Sequence, residues 1–169
     1  MDTDIRPATA DDREAIRELA RETWHDTYAE LEPDVIDETV DAWYSDEELE
    51  RALSTPGTTM LVAEAGEEAG REVGIVGVAH GVVQEDEGDV LRLYVHPDHQ
   101  REGIGTALHE RLRENLEDFN MRRMRAIDLA SNADGRAFYE DLGFEKTGEG
   151  TVDIGGESRQ EVVYTLDLE

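Results

Sequence analysis

At 169 residues, with 43 acidic against 16 basic side chains and a formal net charge of −27, the chain has the length of one domain and an unusual excess of acid. That length can bury roughly two thirds of the unfolded surface around a single core, so one domain over residues 1–169 is expected, with no linker. The charge speaks against a nucleic-acid partner, since the only dense basic run is MRRMR at 121–125; the lack of cysteine excludes disulfides, thiolate metal sites and a cysteine nucleophile.

Such acidity with few aromatics often signals disorder, but the apolar residues fall into periodic segments, which argues for a folded domain with an acidic surface. Lys146 is the single lysine beside 15 arginines. Acid-rich, lysine-poor chains resemble proteins of extreme halophiles, whose surfaces stay soluble in molar salt. The start, MDTDIRPATADD, has neither a basic region nor an apolar run. No later stretch reaches the roughly 18 apolar residues of a membrane span, so a cytoplasmic protein without a membrane partner is expected.

Residues 4–8 form a short strand candidate stopped by Pro7 and the turn residues after it. Thr9 with Asp12 marks a helix start, and Ile16, Leu19, Ala20, Trp24, Tyr28 and Leu31 trace one helical face. Pro33 suits a first helical position, with Ile36, Val40 and Trp43 inside; Ser45 with Glu48 reads as a capping box for a further short helix. Strands are predicted at 58–64, 73–83 and 89–96, separated by GEEAGRE and QEDEG, turns that suit antiparallel hairpins. A second strong helix carries Ile104, Ala107, Leu108, Leu112, Leu116 and Phe119. A strand at 123–129 precedes a short helix capped by Asn132 and ended by Gly143; strands at 144–151 and 159–168 close the chain.

The joint inside LYVHPDHQREGIGTALHERL, residues 93–112, carries chemistry. Pro97 pushes His96 toward an extended backbone and ends the strand. Gly103 and Gly105 let the chain turn so that amide N–H groups converge at the positive end of the helix from Ile104, a site for phosphate or pyrophosphate. A dinucleotide fingerprint fails, because Leu108 stands where a third Gly or Ala belongs and the stretch 97–103 separates strand from glycines. A Walker A loop fails too, since Gly105 is followed by Thr106 without a lysine.

Gln100-Arg101-Glu102-Gly103-Ile104-Gly105 resembles the acetyl-coenzyme A loop Q/R-x-x-G-x-G/A of the GNAT superfamily of N-acetyltransferases, and NADGRAFYEDLGF at 132–144 is similar to its N-x-x-A/x-x-F-Y-x-x-x-G-F signature. The resemblance covers roughly residues 89–144. It implies an α+β fold of three α/β/α layers, around a mixed, mostly antiparallel sheet of about seven strands whose fourth and fifth members splay. It further implies transfer of the acetyl group of acetyl-CoA, a co-substrate, to a primary amine. TWHDTYAELEP at 23–33 looks similar to branches that acetylate polyamines and other small amines.

By the same resemblance, the backbone of Leu93, Tyr94 and Val95 pairs with the pantetheine arm, and an N–H near Val95 polarises the thioester carbonyl. The amides of Arg101, Glu102, Gly103, Ile104, Gly105 and Thr106 hold the pyrophosphate, with Gln100 opening the loop. Tyr139 falls on the signature's tyrosine, where its phenol can protonate the leaving thiolate, and Asp89 lies where some members place a catalytic carboxylate, acting through a water relay.

The residues also have plain structural readings. Tyr139, Trp24 and Tyr28 are core aromatics by pattern, Asn132 is a helix cap as much as a pantetheine contact, and Asp89 is a carboxylate at a strand start. Arg122, Arg123 and Arg125 either meet a coenzyme A phosphate or balance acidic neighbours. His96 and His99 lack a third ligand nearby, so no metal is expected. A protein N-terminal or lysine acetyltransferase, and a non-catalytic acyl-CoA-binding regulatory module, are the competing functions; a homodimer is left open.

Overall fold

The structure, a computed structural model, describes residues 3–68, 71–84, 87–97 and 103–168. Seven strands form one sheet: β1 (Thr3–Pro7), β2 (Thr58–Glu68), β3 (Arg71–Gln84), β4 (Glu87–Val95), β5 (Arg123–Leu129), β6 (Glu145–Ile154) and β7 (Glu157–Asp167), in spatial order β1-β2-β3-β4-β5-β7-β6. Every neighbouring pair is antiparallel except β4 and β5, which are parallel and joined by a helix that crosses over between them. That helix is α4 (Ile104–Asp118). The fold class is the expected one; β2 is four residues longer than its apolar pattern suggested, because pairing with β3 carries it on to Glu68.

One sheet face packs on α4, and Gly77, Gly81 and Gly88 make the contact close. A Cβ there would stand 2.9 Å from Leu108, 2.9 Å from Leu112 and 2.6 Å from Leu116 respectively, so the leucine ridge of α4 lies in a glycine groove. Burying such leucines stabilises the fold by roughly 1.5–3 kcal/mol each. The other face is covered by α1 (Arg13–Thr27), α2 (Pro33–Trp43) and α3 (Asp46–Ser54), which bury Ile16, Leu19, Trp24, Ile36, Val40 and Leu49 with Val62 and Val78 of the sheet.

The local stop and start signals act as read. Asp12 accepts from the Thr9 amide at 2.8 Å, and Ser45 Oγ accepts from the Glu48 amide at 3.2 Å. The Glu48 carboxylate turns to Arg51 at 2.7 Å, so half of the capping box forms. Asn132 caps α5 (Ala133–Asp141), accepting from the Gly135 amide at 3.0 Å, and Gly143 follows it at φ 98°. Two apolar positions depart from their helical faces. Phe119, at the α4 C-terminus, is 52% exposed, and Trp43 is 37% exposed because it borders the cleft described below. No helix is long and apolar enough to cross a membrane among the described residues.

Candidate active site

β4 holds a bulge. Its register on β3 steps from Gly81↔Val90 to His80↔Arg92, leaving Leu91 as the extra residue, and such a bulge bends its strand. The parallel ladder with β5 runs only from Glu87↔Arg123 to Val90↔Ala126. Beyond it β4 stays with β3, where the His96 amide donates to the Val76 carbonyl at 2.8 Å, while β5 continues with β7. The two strands therefore splay around a cleft of about 850 Å³ lined by Leu93, Tyr94 and Val95 on one side and Ile127, Asp128 and Leu129 on the other. That volume suits a substrate-sized ligand.

α4 points its N-terminus into this cleft. Gly103 takes φ 86° with open space where a Cβ would be, and Gly103, Gly105 and Thr106 line the opening. A Cβ at Gly105 would press Phe138 of α5 at 3.3 Å and Val95 at 3.5 Å, so glycine lets the first turn sit against both. First-turn amides with no intrahelical partner, at the positive end of the helix, fit a phosphate. Gln100, Arg101, Glu102 and His99, named from the sequence, lie outside the described residues.

Tyr139 lies on α5 with its ring packed and its edge on the cleft. It is 6% exposed, stacked on Tyr164 at 6.2 Å and edge-on to Phe144 at 5.2 Å. Burial, then the negative charge of Asp128, pushes its hydroxyl well above the ordinary tyrosine range, so it keeps its proton at neutral pH. Trp24 and Tyr28 are both core and cleft: each is almost fully buried, the rings meet edge to face at 5.0 Å, and both line the opening. Trp24 Nε1 donates to Tyr94 Oη at 3.1 Å, and Tyr44 Oη donates to the same oxygen at 2.8 Å.

The two carboxylates of the splay stand apart. Asp89, expected as the base, is not among the residues that line the cleft. It is 5% exposed and grips Arg125 through Nε to Oδ1 at 3.0 Å and Nη2 to Oδ2 at 2.9 Å, an in-register partner across the parallel ladder. Arg123 likewise meets Glu87 at 3.1 Å, so both arginines balance neighbouring acids. His96 pairs with Glu22 of α1.

Asp128 was not singled out from the sequence, and it occupies the cleft. Its Oδ1 accepts from Tyr28 Oη at 3.1 Å, the Leu129 amide at 3.0 Å and Asn132 Nδ2 at 3.1 Å, while Oδ2 accepts from Asn132 Nδ2 at 3.1 Å. Burial pushes this carboxyl up to about 6, against the pull of those hydrogen bonds and of Arg136. Asn132 has both ends of its amide engaged, one on Asp128 and one as the α5 cap. One signal could have exposed Asp128: it shares the strand face of Met124 and Ala126, which are fully buried, so a carboxylate stands at a core parity.

Comparison with known proteins assigns the fold. The family described as the acetyltransferase (GNAT) domain matches residues 56–146, just over half of the chain. The chain belongs to the GNAT acetyltransferase family. Spermidine N(1)-acetyltransferase of Thermoplasma acidophilum is 25% identical over 149 residues, which cover 86% of this chain and 89% of that protein. The ribosomal protein bS18 alanine N-acetyltransferase of Escherichia coli is 41% identical over 61 residues, 36% of this chain, and the match spans only 41% of that relative's length. A solved structure of the PaiA N-acetyltransferase from T. acidophilum in complex with coenzyme A superposes with a TM-score of 0.79 at 25% identity, over 95% of this chain and 98% of its own. Within the GNAT signature segment, this chain carries Gly135 at the position where the pattern admits alanine.

Proposed function

We propose that the protein is an acetyl-CoA-dependent N-acetyltransferase whose acceptor is a small primary amine of the polyamine class. The cleft between the splayed strands carries the reading. Its lining includes Asp26, Asp128, Asp134, Asp141 and Glu161 but, among the described residues, no Lys, Arg or His, although 16 of the 169 residues are Lys or Arg. Carboxylates would be common on any surface of so acidic a chain; the missing cations make the cleft a place for a multiply charged ammonium ligand. Trp24 and Trp43, edge to face at 5.5 Å, add aromatic surface at the same opening.

Acetyl-CoA would supply the acetyl group as a thioester. The residues present fit it: Leu93, Tyr94 and Val95 lie on the side of β4 that β5 leaves unpaired, and the α4 amides from Gly103 to Thr106 face the same opening. Gln100, Arg101 and Glu102 precede those amides in the chain and complete the proposed phosphate loop. Tyr139 holds a proton beside the reacting region and donates it as the carbon–sulfur bond breaks. Because burial disfavours the phenolate, donation to sulfur is matched by return of the proton that the nitrogen loses in forming the amide.

A protein N-terminal acceptor is the second reading, supported by the 41% identical segment shared with the E. coli alanine acetyltransferase. Thiol release from acetyl-CoA, followed in molar KCl with putrescine, spermidine, spermine, lysine and an alanine-initiated peptide, tests both. The polyamines should give the highest kcat/KM. Preference for the peptide would replace this reading, and tight acetyl-CoA binding without thiol release would leave an acyl-CoA-binding module.

A further inference from the structure

The surroundings of Asp128 are those of a group held ready to change its charge. Both oxygens are satisfied by neutral donors, and no Arg or Lys hydrogen-bonds to it among the described residues; the buried Asp12, by contrast, is gripped by Arg6 at 2.8 and 3.0 Å. Oδ1 accepts three hydrogen bonds and Oδ2 one, which leaves Oδ2 the oxygen with capacity for another donor.

Gly135 shows that the chain makes room for this carboxylate. A Cβ at that position would stand 2.1 Å from Asp128 Oδ2 and 2.4 Å from Asn132 Nδ2. Glycine in a helix costs about 1 kcal/mol relative to alanine. The glycine makes room both for the capping Asn132 side chain and for the carboxylate that this side chain holds. The glycine, the Tyr28 hydroxyl and the Asn132 amide all converge on the Asp128 side chain.

We propose that Asp128 is the general base of acetyl transfer, an inference that rests on the amine acetyltransferase reading above. The acceptor arrives as an ammonium ion and gives one proton to Asp128. Its nitrogen pair then forms the C–N bond to the acetyl carbon, the C–S bond breaks, and the sulfur takes the Tyr139 proton. The second nitrogen proton lost in forming the amide replaces the one Tyr139 gave, and Asp128 returns its proton to solvent, so one ammonium and one thioester become one amide, one thiol and one proton. The titratable and charged groups that act on Asp128 are Tyr28 at the end of α1 and Arg136 and Tyr139 on α5. The ordinary carboxylate would be ionised at any physiological pH, whereas a carboxyl held near 6 can take a proton and release it.

The test is single-turnover acetyl transfer to spermidine between pH 5 and 9. The native rate should break near pH 6 and fall below it. Asp128→Asn should lower the rate at pH 7.5 by about 10² to 10⁴-fold and abolish the break, while acetyl-CoA affinity measured by calorimetry stays native. Tyr28→Phe removes a hydrogen bond that favours the ionised carboxylate, so its break should move to higher pH. An Asp128→Asn enzyme with the break intact and a rate within threefold of native overturns the proposal. Should that variant fail to bind acetyl-CoA or to fold, an unmoved break in Tyr28→Phe overturns it equally. If the native protein acetylates no amine at all, the functional reading fails instead, which keeps the two outcomes apart.

Discussion

The strand pair β4 and β5 has two ends that treat a carboxylate in opposite ways. At the hydrogen-bonded end, Asp89 and Arg125 are register partners, and a guanidinium fork takes both carboxylate oxygens; the contact raises the Arg125 pKa. At the splayed end, Asp128 lies a few residues further along β5, is held by a phenol and two amides, and borders the cleft. Parallel pairing placed a cation opposite the first. Loss of pairing left the second with neutral donors and an opening. Where strands pair, the carboxylate meets a cation; where they part, a half-buried acid borders an opening, which is the setting the proposed proton transfer needs.

Substitutions on both sides of that divide sharpen the contrast. The largest effect is expected at the splayed end. Tyr139→Phe keeps the stacked ring and removes only the hydroxyl, so single-turnover acetyl transfer should fall by about 10² to 10⁴-fold with acetyl-CoA affinity and thermal midpoint nearly native. Native single-turnover rates would reduce Tyr139 to a packing residue.

Stability against pH gives the next effect. Asp128 titrates near 6 in the folded chain, above the ordinary carboxylate value of about 4, so below pH 4 it is protonated in both states and costs nothing. As pH rises from 4 to 6 the unfolded chain ionises first, and above pH 6 the native state bears the full cost of roughly 3 kcal/mol. Urea unfolding of the native protein and of Asp128→Asn, compared at pH 4 and pH 7, should show native stability dropping by about that much relative to the variant. A constant difference between the two would show that Asp128 titrates like an exposed acid.

At the paired end the response should appear in stability rather than in proton transfer. Asp89→Ala leaves the Arg125 fork half-buried without its partner, and the denaturation midpoint should fall by an amount equivalent to about 2 kcal/mol. The break near pH 6 in acetyl transfer should persist; its disappearance would return the base role to Asp89. The smallest effect is expected for Gly135→Ala. The new Cβ must displace the Asp128 carboxylate, so turnover should drop about tenfold even though alanine favours the helix by up to 1 kcal/mol. Native turnover in that variant would mean that the carboxylate has room to spare.

Much of this protein is written locally. Thr9 and Asp12, Ser45, Asn132 and Gly143 mark element ends through contacts three residues apart or through their own backbone angle, so no tertiary knowledge is needed to read them. The same holds for α4 and the glycine joint before it, whose resemblance to the acetyl-coenzyme A loop pointed to family and chemistry together. Trp43 and Phe119 were misplaced because helical periodicity names a face without saying how far the covering sheet extends.

Which carboxylate lines the cleft was beyond local reading. In a chain with 43 acidic residues an aspartate carries little signal, and position along β4 made Asp89 look like the base. The long-range register that sets Arg125 opposite Asp89, the bulge at Leu91 that parts β4 from β5, and the approach of Tyr28 to Asp128 across a separation of 100 residues place Asp89 against a cation and Asp128 on the cleft. Sequence determined the elements and the family, because those depend on spacing within one segment. Tertiary structure alone decided which acid meets a cation and which meets the cleft, because a carboxylate's burial and charge partners are supplied by residues far away along the chain.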